Sequence, residues 1–231
     1  MPILNMIYWA TWGGGWWKPW ANTIAYYPLT STTTVNDESG NSLNLTNSNT
    51  QFWTYNWVDC AYFNGTNAGL RQDTLTTSYI WTTFTWSAFI CPYSTWDIAV
   101  STMSNVGTKS QIVLQVNKSR NKFAYNLGDW SNWIDIDYSS TVSANTWYHL
   151  VITHDSSNNV IGYLNWNQVV TSTWWVWQTT TNFWIWCYVY SNNEIYYGKG
   201  YVSNVVLENK VWSAQEVSDY YDQTKANYWI S

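Results

Sequence analysis

From residue 23 to residue 207 the chain alternates short runs of β-branched and aromatic residues with turn-forming residues. This rhythm predicts a sandwich of short strands. Ile24-Ala25-Tyr26-Tyr27-Pro28-Leu29 reads as the first strand, and Asn36-Asp37-Glu38-Ser39-Gly40-Asn41 as the turn after it. Ala61-Tyr62-Phe63 runs into the turn Asn64-Gly65, and residues 84–90 are long enough to cross a sheet. Residues 111–116 and 122–125 read as partners, residues 147–154 as the strongest strand, and residues 201–207 as the last. One helix is predicted. Ser213-Ala214-Gln215-Glu216 is a capping box, and Val217, Tyr220 and Tyr221 follow at the spacing of one apolar helical face, ending near Lys225.

The turns carry an anomaly. Asn165-Trp166 separates the strand-like residues 160–164 and 168–170, where a two-residue hairpin turn asks for Asn-Gly. A bulky L-residue in that left-handed conformation costs roughly 1–2 kcal/mol. Asn56-Trp57, Thr95-Trp96-Asp97 and Tyr228-Trp229 are similar. The chain holds 21 Trp and only 11 Gly, whereas an average composition gives about 16 Gly. Two readings stand. The protein is truly Trp-rich, or it is written in an alternative genetic code in which UGA means Gly, so that Trp57, Trp96, Trp166 and Trp229 are recoded glycines. Trp86, Trp147 and Trp212 instead stand inside strand or helix signals and are expected in the core.

Charged residues make up 10% of the chain and the net charge is -5, so the basic footprint of a nucleic-acid binder is missing. No apolar run approaches the roughly 18 residues of a membrane-spanning helix. The N-terminus lacks the basic segment of a signal peptide. That leaves a signal already removed, or release without one, as from a phage particle freed by lysis. Cys60, Cys91 and Cys187 are an odd set, read either as small buried hydrophobes or as one disulfide and one free thiol.

Residues 1–22 form their own segment. Ile3, Leu4, Met6, Ile7 and Tyr8 make an apolar strand followed by Gly13-Gly14-Gly15 and Pro19, a flexible linker. Such a strand packs on its own domain or adds to a neighbouring copy. Residues 23–231 form the second unit.

Across that unit the chain resembles the laminin G-like, concanavalin A-like jelly rolls of bacterial and phage surface proteins. The resemblance rests on Tyr26-Tyr27-Pro28-Leu29 with the turn at residues 37–41, and on Ala61-Tyr62-Phe63-Asn64-Gly65 and residues 84–90. It continues through Trp147-Tyr148-His149-Leu150-Val151, Gly162-Tyr163-Leu164-Asn165, residues 200–205, and Trp212-Ser213-Ala214-Gln215-Glu216. It implies an all-β, antiparallel sandwich of jelly-roll type with one short C-terminal helix; residues 1–22, outside the resemblance, add an N-terminal strand extension.

Catalytic chemistry is hard to find. Retaining glucanases on this fold need two carboxyls about 5–5.5 Å apart. Asp135-Ile136-Asp137 puts two carboxylates on one strand face, but without a Glu partner. His149 and His154 are five apart and face opposite sides of a strand, so they form no metal or catalytic pair. No metal site and no cofactor are expected. Ca²⁺ is the weak alternative, through Asp37, Asp59, Asp97 and Asp129, residues that more simply cap their own turns.

Two functions follow. The main expectation is a non-enzymatic structural subunit of an extracellular or virion appendage, a homopolymeric fibre in which the N-terminal strand joins other copies of the chain. The alternative is a lectin-like adhesin binding glycans, with Trp174, Trp175, Trp177, Trp184 and Trp186 as an aromatic platform.

Overall fold

A computed structural model describes residues 21–75, 83–93, 99–103, 112–117, 122–128, 133–174, 182–190, 194–228 and 230. Its strands are antiparallel and form two large sheets. The first sheet runs, in spatial order, β13 (Asn167–Thr173), β12 (Asn159–Leu164), β11 (Tyr148–His154), β6 (Phe84–Pro92), β17 (Lys199–Glu208), β4 (Val58–Asn64) and β3 (Gln51–Tyr55). β1 (Thr23–Tyr27) pairs with the C-terminal half of β17. The second sheet runs β10 (Trp133–Thr141), β9 (Lys122–Gly128), β8 (Ile112–Asn117), β7 (Ala99–Met103), β14 (Asn182–Ile185), β5 (Gly69–Gln72) and β2 (Thr46–Ser48). A small hairpin joins β15 (Cys187–Tyr190) to β16 (Glu194–Tyr197). This is the expected jelly-roll sandwich.

The main core lies between the sheets and includes Phe63, Phe84, Trp86, Phe123, Tyr125, Tyr138 and Ile152. Tyr138 ties the layers together, because its hydroxyl crosses from β10 to donate to the Val151 carbonyl of β11 at 3.0 Å. Gly162 makes room for that ring: a Cβ there would stand 2.2 Å from Tyr138 and 2.6 Å from Val170.

The central strands of the first sheet are buried on their other face as well. Helix α1 (Ala214–Thr224) and a 3₁₀ turn (Lys225–Tyr228) lie over it. The capping box forms as expected, with Ser213 accepting from the Glu216 amide. Val217, Tyr220 and Tyr228 pack with Phe89, Trp147, Val151 and Trp212 in a second core. Tyr228 stacks on Phe89 with ring centroids 3.8 Å apart. A bulge in β17 between Ser203 and Val206 turns Asn204 to positive φ. Its side chain is thereby held between the Tyr26 and Tyr228 hydroxyls.

The tryptophans divide as their positions suggested. Trp86, Trp147 and Trp212 are buried, and the Trp212 indole N–H donates to the Glu208 carboxylate. Trp57 and Trp166 are the second residues of two-residue turns joining β3 to β4 and β12 to β13. Both central residues of each turn have positive φ: 48° and 65° at Asn56 and Trp57, 47° and 68° at Asn165 and Trp166. Trp96 and Trp229 lie outside the described residues. Cys60 and Cys91 are buried free thiols, and the side chain of Cys187 lies outside the described set.

The same residue type should therefore respond oppositely at the two kinds of site. Trp212→Ala is expected to lower stability by about 3–5 kcal/mol through lost burial. Trp166→Gly is expected to raise it by roughly 1–2 kcal/mol by relieving the left-handed backbone. Urea unfolding midpoints at unchanged slope measure both.

Candidate functional site

Helix α1 covers only part of the first sheet's outer face. Towards the β3 edge that face is built from aromatic side chains. Along β3, Phe52 turns to the core between the sheets, so Trp53 and Tyr55 take the other side. β4 adds Tyr62, and β17 adds Tyr201 directly opposite it. The four rings form one stack. Trp53 lies on Tyr62 at 4.8 Å and 23°, Tyr62 meets Tyr201 at 5.3 Å, and Tyr55 covers Tyr201 at 3.9 Å and 9°. Trp53 remains 42% exposed.

Polar groups border the stack. The Tyr55 hydroxyl donates to Asn145 Oδ1 at 3.4 Å, and the Asn145 amide is held by the Pro92 carbonyl. Lys199 Nζ lies 3.8 Å above the exposed Tyr93 ring. Burial pushes the Tyr55 and Tyr201 phenols above their ordinary range, so both keep their protons. Beneath them, burial pushes the Cys60 and Cys91 thiols up to about 12, which leaves them protonated and poor nucleophiles at neutral pH. The surface is thus a neutral aromatic cluster, exposed mainly at Trp53, with hydroxyl and amide groups at its margin. It suits ring stacking with hydrogen bonding, and among the described residues it holds no paired carboxylates for acid–base work.

The sequence singles out none of these four rings. Alternating Trp53 and Tyr55 ahead of a hairpin turn was the available signal, but Tyr201 joins them only through strand pairing. The Trp platform expected from the sequence does not come together among the described residues. Trp186 is fully buried and stacks on Phe63 at 5.1 Å; β14 ends just before it, and it turns inward with the core residues Phe183 and Ile185. Trp174 is half-buried at the end of the first sheet, packed on the core. Trp184 is half-buried on the second sheet, 5.3 Å beneath the Arg71 guanidinium. Trp175 and Trp177 lie outside the described residues, as do Ile3, Leu4, Met6, Ile7 and Tyr8.

Asp37 caps its own turn, as expected of a turn aspartate. Its two carboxylate oxygens accept from the Tyr26, Ser39 and Leu43 amides and from the Ser39 hydroxyl. Asp59 accepts from Thr54 at 2.6 Å. Asp97 and Asp129 are outside the described set, and the described His, Cys, Asp and Glu residues form no group that could hold a metal ion. Asp137 is half-buried on β10, while the side chain of Asp135 is not described. No described helix is long and apolar enough to cross a membrane.

The histidines face opposite sides, as their spacing predicts. His154 Nε2 meets the Trp174 carbonyl at 3.0 Å. His149 lies under the helix with Nε2 2.7 Å from Ser87 Oγ, stacked on Phe89 at 4.4 Å. Complete burial lowers its pKa from 6.5 to about 3.

Residues 64–218 match the laminin G family model described as the concanavalin A-like lectin/glucanases superfamily, and the chain belongs to that superfamily. No curated protein matches the sequence. Among solved structures the chain is similar to domain 4 of AbnA, a GH43 extracellular arabinanase from Geobacillus stearothermophilus, in complex with arabinotriose. The identity is 15%, the TM-score 0.66, and the match covers 86% of this chain and 97% of that one. It is also similar to botulinum neurotoxin type C, whose cell entry is dependent upon interaction with two ganglioside molecules, with 12% identity, TM-score 0.65, and 87% and 51% of the two chains covered. A third is the binding domain of botulinum neurotoxin DC in complex with SialylT, with 12% identity, TM-score 0.68, and 87% and 51% covered. The chain thus spans about half the length of the toxin structures. These likenesses concern the fold.

The buried His149 gives this face a pH signature. The unfolded chain protonates His149 near 6.5 while the folded chain keeps it neutral down to about 3. The unfolded state binds the extra proton in that window, so stability falls as pH drops below 6.5, by up to about 1.4 kcal/mol per unit. Urea unfolding at pH 7, 6 and 5 should show that slope, and His149→Gln should flatten it.

Proposed function

We propose that this chain is a non-catalytic carbohydrate-binding domain acting outside the cell. The observation that carries this reading is the ring stack of Trp53, Tyr62, Tyr201 and Tyr55, with exposed indole surface at the sheet edge. A sugar ring presents axial C–H groups on one face and hydroxyls around its rim. An aromatic shelf takes the first, and amide or phenol groups take the second. Trp53 is the stacking residue, and Asn145 and the Tyr55 hydroxyl are the hydrogen-bonding groups.

The structural neighbours support this reading. One is bound to arabinotriose and another belongs to a toxin whose cell entry depends on gangliosides. The expected fibre finds no comparable support. Its N-terminal strand lies outside the described residues. Glycan binding therefore takes its place as the leading function.

A glycan array probed with the purified chain should show specific, saturable binding. Trp53→Ala should weaken it about tenfold or more, the size of a contact worth 1.4 kcal/mol, with the near-ultraviolet circular dichroism of the buried aromatics retained. Undiminished binding by that variant would move the site elsewhere on the fold. An array without any binding would reject the function itself.

A further inference from the structure

We infer that positions 57 and 166 are glycine in the chain as its source cell makes it, each specified by a UGA codon that such a cell reads as glycine and other genetic codes read as Trp. The inference rests on a conjunction of backbone and environment. Each position is the second residue of a two-residue hairpin turn, between Tyr55 and Val58 and between Leu164 and Asn167. At each, φ is positive in both central residues, the pair of angles that Asn-Gly satisfies and a bulky L-residue resists.

Asn at the first position is well placed. Asn165 accepts from the His149 amide through Oδ1 at 2.9 Å and donates its own amide to the His149 carbonyl at 2.9 Å. Trp at the second position has no such compensation. Trp57 is 86% exposed and Trp166 49% exposed, so burial does not offset the steric strain.

Most other residues with positive φ are Asn or buried, the small half-buried Thr34 and exposed Ser42 apart. Among the described residues there are twelve that are not glycine, and six of them are Asn, a residue that tolerates this region. Leu29 is fully buried in the core. Trp186 has φ 71° but is buried against Phe63, so it carries no part of the inference. Trp53, Trp86, Trp147 and Trp212 do not have positive φ. The inference therefore concerns the two turn-tip positions alone.

The test is peptide mass spectrometry of the chain isolated from its source cells, beside the codons of its gene. The expected result is glycine at both positions and UGA at both codons. Trp in either peptide, or UGG at either codon, overturns the inference at that position. A second measurement addresses the physical ground. The chain carrying Trp57→Gly and Trp166→Gly together should unfold at a higher urea concentration than the Trp form. An unchanged or lower midpoint would remove the argument that the backbone requires glycine.

Discussion

The centre of the first sheet is buried on both faces, and much of the molecule follows from that. Strand β6, Phe84–Pro92, is buried at every position. Its inward residues, such as Trp86, Ala88 and Ile90, meet the second sheet, while Phe89 and Cys91 meet the layer under α1 and the 3₁₀ turn. A strand covered on one side reads as alternating apolar and polar residues, whereas one covered on both sides reads as a continuous apolar run. The C-terminal helix is therefore the lid of a second core, and the capping box at Ser213 and Glu216 fixes where that lid begins.

This double burial explains the chemistry that is absent as much as that which is present. His149, Ser87, Cys60 and Cys91 would draw attention at an open cleft. Here they lie on the covered face, where desolvation keeps the imidazole neutral and the thiols protonated. The lid stops short of the β3 edge, and the aromatic surface that continues from beneath it becomes accessible there. The candidate site is the uncovered margin of a core, held in place by ring contacts.

Much of the architecture is legible in the sequence because it depends on neighbours along the chain. The capping box, the Asn-X turns, the Asp37 turn and the strand of residues 147–154 are local and appear as read. Short strands with weak composition, such as β5 and β7, gave no clear signal, because their place is set by partners far away in sequence. The Trp-rich residues 174–186 are a case of the same kind. Composition alone suggests a shared surface, yet Trp174 follows β13 of the first sheet, Trp184 lies on the second and Trp186 turns into the core.

The sequence by itself determined the fold class, the start of the helix, and the places of the core tryptophans Trp86, Trp147 and Trp212 and of the turn tryptophans Trp57 and Trp166. Backbone preference and capping act within a few residues, so these features need no long-range information. Only the tertiary structure decided which rings share a surface. Trp53 and Tyr62 belong to one hairpin, but Tyr201 joins them from strand β17, late in the chain, and strand register alone brings it opposite Tyr62. A site made by register exists only once the sheet has formed.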